Sequence, residues 1–164
     1  MEEPDRIPWR RRRLAFLVAL GLAAGCGGGD TELQNTHAYM DSLRVYLGDL
    51  RLMDHQLGKV VQSDTVSAEV IVPLIAETLR PTVGDLRRRA DDLQVTPVVR
   101  DAHTLLLAYL DIRLQAYDAA LQGQAEARPE LFELFARKQT EAEEMGRHLE
   151  DETQRLRALV PAYR

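Results

Sequence analysis

At 164 residues, with 45% hydrophobic and 29% charged side chains, the chain has the proportions of one globular domain and not of a disordered segment. Charge is uneven: the first 25 residues hold five arginines against three acids, and the remaining 139 carry 16 basic and 23 acidic groups, a net charge of −7 that makes nucleic acid a poor partner. The single cysteine, Cys26, rules out an intrachain disulfide and a multi-cysteine zinc site, so stability has to come from packing.

The chain opens with a positive cluster, Arg10 to Arg13, followed by the 11-residue apolar run Leu14 to Ala24. This is the outline of a signal peptide. The run is about half of the ~20 residues that a helix needs to cross a bilayer, so cleavage is expected and a permanent span is not.

The run ends on Leu22-Ala23-Ala24-Gly25-Cys26, which resembles the lipobox of bacterial lipoproteins, where small residues precede the cysteine that receives diacylglycerol. The resemblance covers only the leader, and the large aliphatic residue usual three places before the cysteine is Ala23 here, with Leu22 one place further back. It implies that residues 1–25 are removed, that Cys26 becomes the lipid-bearing first residue, and that residues 26–31, with Gly27-Gly28-Gly29, form a flexible tether to the membrane. Plain secretory cleavage would leave Cys26 as a free thiol, which invites unwanted pairing in an oxidising compartment. In lipoproteins of bacteria with two membranes, an aspartate directly after the cysteine tends to retain the protein at the inner membrane. Gly27 stands there, so the resemblance implies outer-membrane sorting, with the domain facing the periplasm.

Residues 32–164 read as four helices. The first runs from Leu33 to about Gln62, with Leu33, Met40, Leu47 and Val61 on one seam position, Leu43, Leu50 and Leu57 on its partner, and Tyr39, Tyr46, Met53 and Val60 flanking. Ser63-Asp64-Thr65 supplies capping oxygens for the second, Thr65 to about Leu93, which carries Val72, Ile75, Leu79, Thr82, Leu86, Ala90 and Leu93. Pro73 and Pro81 disturb it, and a kink or short break is expected near Arg80-Pro81.

Thr96-Pro97 opens the third helix as a capping hydroxyl followed by a first-turn proline. Its stripe is Val99, Ala102, Leu106, Tyr109, Leu110, Tyr117, Ala120 and Leu121, with Gly123 marking the end. The fourth helix starts near Pro129, carries Leu131, Phe135, Ala142, Met145, Leu149, Leu156 and Leu159, and stops at Pro161. Short connections between segments of this length predict an all-α, antiparallel up-down-up-down four-helix bundle; a long three-helix arrangement with a bent hairpin is the alternative.

Such bundles can hold di-iron centres through Glu-x-x-His pairs, but the residues three before His37, His55, His103 and His148 are Gln34, Leu52, Arg100 and Met145. The architecture is also similar to that of periplasmic four-helix b-type cytochromes, and Met40 and His148 could reach one level as axial ligands. Met40 is equally a core methionine, and His148 stands beside the seam. Asp54 occupies a seam position between Leu47 and Val61, where a buried charge needs a partner such as His103 or Arg113. An Asp54–His103 pair could hold a divalent metal, whereas a polar contact fixing helix register is the structural explanation.

Arg87-Arg88-Arg89 and Asp91-Asp92 read as salt-bridging blocks at a solvated helix end, or as a contact for membrane headgroups. Glu141, Glu143, Glu144, Glu150, Asp151 and Glu152 read as a wet face without the spacing of a calcium loop. Ser42, Ser63 and Ser67 lack the setting of a hydrolase nucleophile. The expectation is therefore a non-catalytic cell-envelope lipoprotein, anchored in the membrane by its lipid, binding no cofactor and docking a partner protein or stabilising an envelope assembly. The alternative is a periplasmic carrier of metal or haem built on Asp54, His103, Met40 and His148.

Overall fold

The computed structural model describes residues 28–61 and 68–160, and among these it is all-helical, with no strand. The leader with Cys26, the Ser63-Asp64-Thr65 cap and the Pro161 stop lie outside the described residues. The chain divides into two compact units, Met1–Gln34 and Asn35–Arg164; of the first, residues 28–34 are described and are helical.

Among the described residues, five α-helices make four long helical stretches: α1 (Gly28–Val61), α2 (Ala68–Leu74) and α3 (Arg80–Asp91) joined through a π turn (Ile75–Leu79), α4 (Arg100–Ala125) and α5 (Pro129–Leu159). Helix α1 begins at Gly28, so residues 28–31, expected as tether, are helical; Asp30 in the first turn offsets the poor propensity of the glycines by facing the positive helix end.

The buried stripe of α1 is Thr36, Tyr39, Leu43, Tyr46, Leu50, Met53 and Leu57, an unbroken alternation of three and four residues, with Met40 buried beside it. The expected seam is corrected in part. Met40 is core as anticipated, but Leu33 is exposed, Leu47 is half-buried, and the tyrosines assigned to the flank are the core.

The expected disturbance near Arg80-Pro81 takes the form of the π turn. Pro81 offers no N–H and its ring crowds the preceding turn. The turn before it is widened, with the Arg80 N–H donating to the Ile75 carbonyl, so the helix continues instead of breaking. Ile75, Leu79, Val83, Leu86 and Ala90 then hold one fully buried face across the junction.

Two other boundary expectations are revised. Thr96 does not cap with its hydroxyl: the side chain is buried and its Oγ1 meets Thr36 Oγ1 at 2.9 Å, tying the start of the third segment to α1. A 3-10 turn (Pro97–Val99) precedes α4 in place of a capped helix. Gly123 does not end α4, which runs on to Ala125. A Cβ at Gly123 would lie 3.1 Å from both Leu131 and Phe132 side chains and 3.2 Å from the Arg128 carbonyl, so the glycine serves close approach at the turn into α5. That turn closes with the Arg128 N–H donating to the Gly123 carbonyl at 2.9 Å, around Ala127 at φ 53°.

Helix α4 is the central element, packing against α5, α3, α2 and the π turn. It buries residues around most of its circumference, from Ala102 and Leu106 through Ile112, Ala116 and Ala119 to Gly123. Small residues, Ala116, Ala120, Ala142 and Gly146 among them, let α4 and α5 approach closely. One charged side chain, Arg113, lies within this buried surface.

Candidate functional site

Arg113 stands on α4 between Tyr109 and Tyr117, each one turn away, so all three side chains share a face. Only 3% of the residue is exposed. The guanidinium lies 5.7 Å from the Tyr109 ring centroid and 5.5 Å from that of Tyr117, a cation against two aromatic faces. Its Nη1 donates to Gln139 Oε1 of α5 at 3.2 Å, and Nη2 donates to Asp54 Oδ1 of α1. One buried arginine thus joins three helices.

Burial opposes the Arg113 charge, but Tyr117, Tyr109 and Asp54 outweigh it and hold the pKa above the ordinary arginine value. Burial also pushes the Tyr109 hydroxyl up to about 12, against the pull of Arg113, and raises Tyr117 in the same way. Both tyrosines are neutral at physiological pH, which leaves Asp54 as the formal countercharge paired with the guanidinium among the described residues.

Asp54 has the arginine partner that its position asked for, but the burial is reversed. Asp54 sits at the edge of the α1 stripe, its side chain is 47% exposed, and the buried member of the pair is Arg113. The signal was legible on α4: the stripe Leu106, Leu110, Tyr117 and Ala120 calls for a core residue near 113, and the residue there is an arginine.

Beside the pair opens a cleft of about 350 Å³, between α1, α4 and α5. Leu47, Leu50, Leu149 and Tyr109 form its apolar part, and Arg113 and Asp54 line it together. Charged residues complete the lining: Arg51, paired with Glu150 at 2.8 Å, and Glu143 and Arg147, one turn apart on α5. Gly146 also lines it, and a Cβ there would approach Tyr109 Cε2 to 3.2 Å.

The four residues considered for a metal or haem are not brought together. His103 stacks edge-on against Tyr39 at 5.8 Å between centroids, ten residues or roughly 15 Å along α4 from Arg113 and its partner Asp54. Met40 is buried and borders a smaller cleft, about 270 Å³, with Arg44, Thr153 and Arg157. His148 is exposed on α5, five residues before Thr153 of that smaller cleft, whereas Met40 is buried.

The arginine block is used in ion pairs: Arg87 with Asp91 and Asp111, Arg88 with Asp85, and Arg89 with Asp85 and Asp49 while covering the Tyr46 ring at 5.1 Å. Of the acidic face on α5, Glu141, Glu144 and Glu152 pair with Lys138, Arg147 and Arg155. Compared with known proteins, the chain matches no family model, no curated protein and no solved structure.

Proposed function

We propose that the chain is a cell-envelope lipoprotein, cleaved after Gly25 and acylated on Cys26, whose helical domain faces the periplasm from the outer membrane and has a non-catalytic, partner-docking or envelope-assembly role. The observation that carries the reading is the order of signals at the start: Arg10 to Arg13, the apolar run to Ala24, then Leu22-Ala23-Ala24-Gly25-Cys26. With it goes an up-down-up-down, antiparallel arrangement of the domain. Two ion pairs between α3 and α4 support that topology, Arg80 with Asp118 and Arg87 with Asp111, since residue numbers rise along one helix as they fall along the other. For docking, Val45 and Leu52 stand exposed on α1, away from its buried stripe, and offer a partner an apolar foothold.

The test is mass spectrometry of the protein from cells labelled with palmitate. Acyl groups on Cys26, lost in Cys26→Ala, are expected; an unlipidated wild-type terminus overturns the proposal. In a two-membrane host, Gly27→Asp is expected to move the protein from outer- to inner-membrane fractions.

A further inference from the structure

Arginine presents five N–H donors in a planar fork, and Nε and Nη2 share one edge of it, spaced for the two oxygens of a carboxylate. In Arg113 that edge is half used. Nη2 donates to one oxygen of Asp54, while Nε is buried with no acceptor. A buried donor left unsatisfied is costly. The group covering the edge is the most easily displaced of the arginine's partners: Asp54 is 47% exposed, and released from Arg113 it can turn into water.

Arg113 and Asp54 both line the cleft of about 350 Å³, within the size range of small-ligand sites. Leu47, Leu50, Leu149 and Tyr109 share that lining, so an acid group drawn to the arginine brings an apolar body against an apolar wall. Charge on the lining balances, three arginines against three acids, so one further negative charge is tolerated where a polyanion is not.

We propose that this cleft is a binding site for a monocarboxylate with an apolar body, whose acid group displaces Asp54 and takes the Nε–Nη2 edge of Arg113 in two parallel hydrogen bonds. Asp54 is then a resident stand-in for the ligand, keeping the buried cation paired while the site is empty. The same chemistry is carried by a free fatty or aryl acid and by an apolar residue at the C-terminus of a polypeptide.

The test uses the full chain, with octanoate, octanol, a peptide ending in leucine, and the same peptide amidated, followed by calorimetry and by the ¹⁵N resonance of Arg113 Nε. Octanoate or the free peptide is expected to bind roughly tenfold tighter than its uncharged counterpart and to shift the Nε signal. Asp54→Asn, which keeps the side-chain shape, should tighten acid binding several-fold and leave octanol unchanged, while Leu47→Trp should fill the cleft and abolish binding with the fold intact. Preference for octanoate assigns the site to free acids, and preference for the peptide assigns it to chain ends. Equal binding of acid and uncharged analogue, an unmoved Nε at saturation, or no binding of either acid overturns the proposal.

Discussion

Breaking the Arg113–Asp54 pair from its two ends should have unequal costs. Arg113 is 3% exposed, whereas the Asp54 side chain is 47% exposed. Asp54→Ala leaves a buried cation with a neutral amide, Gln139, and two tyrosine faces, and no ion-pair partner among the described residues. Removing one partner of a fully buried pair costs about 3–5 kcal/mol and of an exposed pair about 0–1 kcal/mol. A carboxylate half in water places this case between them, at about 2 kcal/mol, or roughly 5–10 °C in Tm for a domain of this size. Arg113→Met removes the charge that cannot reach water, fills most of the same channel with an unbranched stem, and frees Asp54 to hydrate. Replacing a buried ion by an apolar side chain of similar volume is often neutral or stabilising, so its cost should be below about 1 kcal/mol. Urea unfolding followed by far-UV circular dichroism reads both variants against wild type, with an unchanged m-value as the check on the comparison. If Arg113→Met proves the more destabilising of the two, or Asp54→Ala stays within about 0.5 kcal/mol of wild type, the account of this pair is wrong.

Glycine substitutions separate propensity from packing. Gly84 on α3 has open space around it, and Gly84→Ala should stabilise by about 0.5–1 kcal/mol; Gly123→Ala meets two side chains and a backbone carbonyl and should destabilise by about 1–3 kcal/mol in the same denaturation assay. Ala127 holds φ 53° at the end of α4, where glycine avoids the Cβ penalty, so Ala127→Gly should raise stability by about 0.5 kcal/mol after the added freedom of the unfolded chain is subtracted. His103 should confer a pH dependence. Burial lowers its pKa below 6.5, Asp91 opposing and Arg87 reinforcing the shift, so the folded state takes up its proton less readily than the unfolded chain does. Its contribution is whole above about pH 6.5 and is lost as pH falls through the lower folded value. Unfolding midpoints measured between pH 7.5 and 5 should therefore fall less steeply in His103→Gln, and identical slopes would exclude the histidine as the cause.

Much of the helical layout was legible along the chain because its signals are local. Pro129 opens α5 after an extended Arg128, and Pro81 disturbs the helix at the place anticipated. What a residue does once helices pack was less legible. Gly123 reads as a terminator, and its use is to admit Leu131 and Phe132. Thr96 reads as a cap, and its hydroxyl is drawn to Thr36, 60 residues away. The polar core followed the same division: an arginine inside an apolar stripe is visible on α4, but the Gln139 that meets it and the Gly146 that shapes the cleft carry no mark in their own segment.

Periodicity along one segment determines that it coils and that it has an apolar side, since backbone hydrogen bonding and side-chain spacing involve only near neighbours. On α1, however, the positions of Tyr39, Tyr46 and Met53 and those of Met40 and Leu47 are both apolar, and each makes a complete stripe with Leu43, Leu50 and Leu57. Only the partner helices choose between them, because burial is a property of the surface that is covered. That choice buried Tyr39, Tyr46 and Met53 while keeping Met40, left Leu47 half-covered and Asp54 on the rim, and placed Arg113 inside beside the cleft.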